Sequence, residues 1–76
     1  MNANLVGRQI RELRMERGLN QSQFGKIISV SQDTVSLWEK GKSMPTTELV
    51  IDICCKFQIS ADYLLGLDEY FAKYPK

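Results

Sequence analysis

Gln32, Asp33, Thr34, Ser36 and Leu37 stand close together in the chain, and their side chains carry complementary kinds of recognition chemistry. A glutamine amide donates and accepts at once, which suits the edge of an adenine in the major groove of DNA. An ionised aspartate only accepts, as from cytosine N4. A serine hydroxyl bonds to a base or to a phosphate, and a leucine can touch a thymine methyl. Positions 32, 33, 36 and 37 are related by steps of three and four, so a helix would place them on one side. Gln32, Asp33, Ser36 and Leu37 are therefore the candidate base contacts, with Asp33 alternatively orienting Gln32. Thr34 is a candidate for a backbone phosphate. On an isolated helix the same side chains would be ordinary wet surface, so the elements that hold them decide their use.

Those elements are legible on both sides. Ser31 is an N-cap, and the pattern predicts a helix from Gln32 to about Lys40 with Val35 and Trp38 on its buried side. Gly41 closes it, and Lys40, Lys42 and Ser43 then flank it as candidate phosphate contacts. Upstream, Asn20 and Gln23 form the two ends of a capping box. The helix they open, Gln21 to about Ile28, turns Phe24, Ile27 and Ile28 to the core, with Leu19 as a staple near Phe24. Gln21 begins that helix, where its amide and the free backbone N–H groups can meet a phosphate. Lys26 is a weaker candidate of the same kind. Ser29 and Val30 make a sharp turn, and Gly25 is small enough to let the next helix approach steeply. Two capped helices separated by a tight turn form a helix-turn-helix over Asn20 to Lys42. In such a pair the first helix crosses the DNA backbone and the second enters the groove.

The rest of the chain supplies support. Val6, Ile10 and Leu13, with Leu5 beside them, make the apolar stripe of a helix from about Asn4 to Arg17. Arg8, Arg11, Glu12, Glu16 and Arg17 fall on its wet side, and Gly18 ends it. Arg14 adjoins Leu13 and Glu39 adjoins Trp38, so the two can form a partly buried ion pair tying the first helix to the third. Such a pair fixes geometry more than it adds stability. Thr46 caps a helix from Thr47 to about Phe57, whose apolar face holds Leu49, Val50, Ile53, Cys54 and Phe57. Ser60 caps a short helix from Ala61 to Leu65, stopped by Gly66. Tyr70, Phe71 and Tyr74 have spacings that allow one more short helix. The fold class expected is all-α: five short helices in a compact domain over residues 1–67, followed by a tail at 68–76, either helical or dimer-forming.

Composition bounds the alternatives. The 76 residues are enough for one small core. The net charge is only +1, but residues 1–42 carry seven basic and four acidic side chains, while residues 43–76 carry three and five. One end is thus mildly basic, as one face of a nucleic-acid binder would be. There is no histidine, hence no imidazole base. Asp52 and Asp62 form no evident pair, and no glycine-rich phosphate loop or metal-ligand spacing is present. The sequence therefore argues against an enzyme, a metal site or a cofactor. Cys54 and Cys55 are neighbours in a helix and point apart, which fits reduced thiols in a cytoplasmic protein. No signal peptide or membrane span is evident.

Several segments together resemble the Cro and repressor (XRE-type) helix-turn-helix domain. They are Gln21-Ser22-Gln23-Phe24-Gly25-Lys26, Val30-Ser31-Gln32, Ser36-Leu37-Trp38-Glu39-Lys40-Gly41-Lys42 and Pro45. Ile10-Arg11-Glu12-Leu13-Arg14 and Ser60-Ala61-Asp62-Tyr63-Leu64-Leu65-Gly66 fit it too, and the likeness spans about residues 5 to 67. The resemblance implies a phage-repressor-like five-helix fold, prokaryotic or phage-encoded. It also implies that two copies bind a roughly palindromic double-stranded DNA operator, each with the third helix in a major groove. It assigns phosphate to Gln21, bases to Gln32, Asp33 and Leu37, and the interhelix salt bridge to Arg14 and Glu39. The chain departs from the pattern at Ser29, where glycine is usual, at Gly25, where alanine is usual, and at Asp33, often neutral or basic. The first should force a left-handed backbone on serine; the second should soften its helix by ~1 kcal/mol.

The expected function is sequence-specific DNA binding as a transcriptional regulator, most simply a Cro-like repressor working as a homodimer, formed in solution or only on DNA. An antitoxin or a controller of a restriction system would share these features. A protein-interaction module using the same fold is the competing class. The connection around Phe57 to Ile59 and the aromatic tail are the candidate dimer surfaces.

Overall fold

A computed structural model describes residues 2–67, 72 and 73 of the chain. Among the described residues five helices follow in order: α1 (Ala3–Glu16), α2 (Gln21–Ile27), α3 (Gln32–Glu39), α4 (Thr47–Phe57) and α5 (Ala61–Leu65). The all-α class and all five expected helices are present, with ends shifted by a residue where Arg17, Ile28 and Lys40 act as C-caps. Tyr70, Phe71 and Tyr74 lie outside the described residues. Among the described residues no helix is long and apolar enough to cross a membrane.

Each helix starts on a side-chain oxygen that accepts from a backbone N–H of its first turn: Asn2, Asn20, Ser31, Thr46 and Ser60. These caps satisfy donors that the helix itself leaves unpaired. At Asn20 the bond is reciprocal, since Gln23 N donates to Asn20 Oδ1 at 2.7 Å and Asn20 N to Gln23 Oε1 at 2.8 Å. The first three helices end alike. Leu19 N, Val30 N and Lys42 N each donate back to the carbonyl five residues earlier, on Arg14, Gly25 and Leu37. This Schellman pattern needs a left-handed residue just past the cap. Gly18 and Gly41 provide it with φ of 68° and 74°; at the end of α2 it falls on Ser29, with φ of 62°.

The turn folds so tightly over α2 that a Cβ on Gly25 would collide with the carbonyl oxygen of Val30. The glycine thus makes room for the turn that delivers α3, whose cap Ser31 would lie 3.4 Å from that Cβ, in line with the close approach expected from the sequence. The usual alanine would not fit this turn unchanged.

The core gathers one face from every helix. Val6, Ile10 and Leu13 of α1 meet Phe24 and Ile28, Val35 and Trp38, Ile53 and Phe57, and Leu64. The Phe24 and Phe57 rings stack at 5.0 Å, and the Arg17 guanidinium covers Phe57 from outside, donating to its carbonyl oxygen at 2.6 Å. Two sequence expectations fail here. Ile27 is not core but 39% exposed. Phe24 and Ile28 sit one turn apart and point inward together, which turns Ile27 aside at the helix end, where its carbonyl accepts from Lys56 Nζ at 2.9 Å. Phe57 is buried under Phe24 and Arg17, so its side chain is not available as a dimer surface; in that connection Gln58 is exposed and Ile59 half-buried.

Candidate nucleic-acid interface

The helix α3 packs against both α1 and α2, and its inner side is fixed by apolar contact first. Val35 and Trp38 are buried. Gly7 of α1 lies so close to this helix that a Cβ would collide with the Trp38 carbonyl oxygen and press on Glu39 Cα at 3.2 Å. Nothing in the sequence marked Gly7; a mid-helix glycine normally only weakens a helix, and the close approach is the physical reason for it.

The ion pair expected between Arg14 and Glu39 is present. Arg14 Nε donates to Glu39 Oε2 at 2.7 Å and Nη2 to Oε1 at 3.0 Å, while Nη1 reaches the Leu19 carbonyl oxygen at 2.9 Å. The two side chains are 15% and 6% exposed. The fork matches the carboxylate bidentately, and hydrogen bonding to Glu39 pushes the Arg14 pKa up. One contact fixes the end of α1, the α1–α2 connection just before the Asn20 cap and the last turn of α3.

The outer side of α3 contrasts with this. Gln32 and Asp33 are exposed in its first turn, Leu37 is 43% exposed and Ser36 is half-buried. Among the described residues none bonds to the side chains of Gln32 or Asp33. Of the four side chains proposed to meet bases, three are therefore exposed on α3 and one is half-buried. Thr34 is also half-buried, and its hydroxyl is 2.9 Å from the capping Ser31 Oγ. It is shared with the cap, which leaves it less free than its neighbours.

The other phosphate candidates lie at and just past the C-terminal end of α3 and on α2. Lys40 is the exposed C-cap of α3, and Lys42 is held just beyond it by the Schellman bond from the Lys42 N–H to the Leu37 carbonyl. Ser43 is half-buried and Lys26 exposed. Gln21 is half-buried at the start of α2, with Nε2 3.3 Å from Glu39 Oε1. This bond had no signal in the sequence. Gln9 is another buried polar side chain that pattern alone missed; its Nε2 donates to the Tyr63 carbonyl oxygen at 3.0 Å and ties α1 to α5.

Away from this face the chemistry is sparse. A shallow groove is lined by Met44, Pro45, Thr47, Val50 and Leu65, without a titratable group. Cys54 and Cys55 are free thiols, half-buried and exposed. Burial, then the neighbouring Cys55, pushes the Cys54 pKa up, which disfavours a reactive thiolate. Among the described residues no group of three metal-ligating side chains comes together.

A helix-turn-helix family model matches residues 10–64. The chain is 35% identical over 65 residues to the antitoxin PezA of Streptococcus pneumoniae, a match covering 86% of this chain and 41% of that protein. It is 35% identical over 68 residues to the repressor protein C2 of Salmonella phage P22, covering 90% of this chain and 32% of that one. It thus spans about two fifths and one third of these two relatives. Among solved structures, the P22 c2 repressor in complex with synthetic operator 9T superimposes with a TM-score of 0.72 at 32% identity, covering 78% of this chain and 89% of that one.

Proposed function

The chain belongs to the helix-turn-helix family of the Cro and repressor type, and on that premise we propose that it binds double-stranded DNA sequence-specifically as a transcriptional regulator. The simplest form of this function is a Cro-like repressor that sits on a roughly palindromic operator as a homodimer. Residues 1–67 are its DNA-binding unit in this reading. The observation that carries the reading is the outer side of α3. Gln32, Asp33 and Leu37 are exposed there on a helix whose other side is locked to α1 by Trp38 and the Arg14–Glu39 pair. Rigid presentation of short polar side chains is what base readout in a groove ~12 Å wide requires.

In this reading Gln32, Asp33, Ser36 and Leu37 meet bases. Gln21, Thr34, Lys40, Lys42 and Ser43 hold phosphates on either side. Two copies would place two such helices in successive major grooves about one DNA turn apart. Selection of bound duplexes from a random pool, followed by footprinting, tests all of this. The expected result is one symmetric motif of two half-sites, bound with an affinity that falls as salt rises. Equal binding to every duplex, or none, would remove the reading.

The likeness to PezA, an antitoxin, favours a second reading, in which the same DNA-binding unit belongs to an antitoxin. It makes the same prediction for selected duplexes and differs in requiring a toxin partner. Isolation of the protein from its host with a stoichiometric partner whose expression alone is toxic would support it.

A further inference from the structure

Glu39 has a partner besides Arg14. The carboxylate oxygen Oε1 that accepts from Arg14 Nη2 at 3.0 Å also lies 3.3 Å from the amide nitrogen of Gln21. A carboxylate only accepts, so it sets which end of the amide faces it: the nitrogen turns to Glu39 and the carbonyl oxygen away. The amide nitrogen carries two N–H groups. Glu39 takes one, and the other remains for a second acceptor. Two donors on one nitrogen suit two anionic oxygens, one fixed in the protein and one on an arriving phosphate. Without Glu39 nothing would distinguish the ends of the amide, and its carbonyl oxygen would meet a phosphate as readily.

The charge balance permits this. Glu39 would repel a phosphate if it stood alone. Arg14 is engaged through three nitrogens, two on Glu39 and one on the Leu19 carbonyl oxygen, and so compensates that charge from the protein side. With Arg14 facing inward, the donors left for the DNA at this point are the Gln21 amide and the free backbone N–H groups that open α2.

We infer that Glu39 is a positioning residue for phosphate capture, holding the Gln21 amide with one N–H on its own carboxylate and the other presented to the DNA backbone. The inference rests on the DNA-binding reading above. It gives one carboxylate two duties, anchoring α3 to α1 and aiming the contact at the start of α2. Groove insertion and backbone grip are thereby set by the same carboxylate, which fixes the register of one against the other.

The test replaces each phosphate of a selected duplex, one at a time, by neutral methylphosphonate and measures binding of the wild type, Gln21→Met and Glu39→Gln. In the wild type one substitution should weaken binding about tenfold through the lost charge-assisted bond. Gln21→Met should erase that penalty and so identify the phosphate. Glu39→Gln should erase most of it too, because the amide is no longer aimed. A full penalty in Glu39→Gln, or no penalty lost in Gln21→Met, overturns the inference while leaving DNA binding intact. If no duplex is bound selectively, the functional reading fails first and this one with it. Should Glu39→Gln not fold, amide exchange in the free wild type decides. One of the two Gln21 side-chain protons, assigned through Gln21→Met, should then be protected about tenfold over the other; equal, unprotected exchange overturns the inference.

Discussion

Val35 and Trp38 are 0% and 2% exposed, whereas Leu37, on the same eight-residue helix, is 43% exposed. The inner side of α3 is filled, charge-matched and pressed against α1. Its outer side keeps Gln32 and Asp33 accessible and without bonds to described residues. The difference separates two requirements that one short helix has to meet. A reading surface needs unsatisfied side chains, which contribute little to stability. A helix of this length is marginal alone and must be held by packing on its other side. Changes to the inner side should therefore act on folding, and changes to the outer side on recognition.

The sharpest way to break this division is Arg14→Met. It strands Glu39 at 6% exposure, and unfolding in urea should show a loss of about 3–5 kcal/mol. For a 76-residue domain that is most of the expected stability. A loss below about 1 kcal/mol would mean that the pair is dispensable to the inner side. Gly7→Ala probes the same seam from α1. The added methyl collides with the Trp38 carbonyl, and overpacking against backbone should cost about 3 kcal/mol in the same measurement.

Gln32→Ala tests the other side. Its melting curve should stay within about 0.5 kcal/mol of the wild type. Binding to a selected duplex should weaken by about 1–3 kcal/mol, with discrimination relaxed at one base pair. A large stability loss would erase the distinction between the two sides. Ser29→Gly addresses the turn that aims α3. Relief of the left-handed serine, φ 62°, offset by a looser unfolded chain, should leave a gain of about 1 kcal/mol. Lys42→Ala should have the smallest effect. Stability should not change, and binding should weaken on all duplexes alike, with the salt slope reduced by about one.

Local signals made most of the fold readable in advance. Asn20 with Gln23, Ser31, Thr46 and Ser60 announced where helices begin, because capping depends on residues a few positions apart. The serine forced into a left-handed conformation was visible as a missing glycine at a turn. Ile27 was misjudged because periodicity gives a side of a helix, and at the last residue of the seven-residue α2 the boundary between sides is too coarse. Phe57 was rightly placed on an apolar face, but its pairing with Phe24 and its cover by Arg17 come from residues far apart in the chain.

The sequence by itself determined the helices, most of the buried stripe of each, the cluster of polar side chains at the start of α3 and the choice of Arg14 and Glu39 as a pair. These follow from residue type and short-range spacing. Only the tertiary structure decided that Gly7 marks a close approach, against Trp38, and which atoms of the following turn the small Gly25 makes room for. It alone brought Gln21 to Glu39 and Gln9 to Tyr63. Such contacts depend on the distance and angle between packed helices, and these are set by the shape of the whole core, which no local pattern contains.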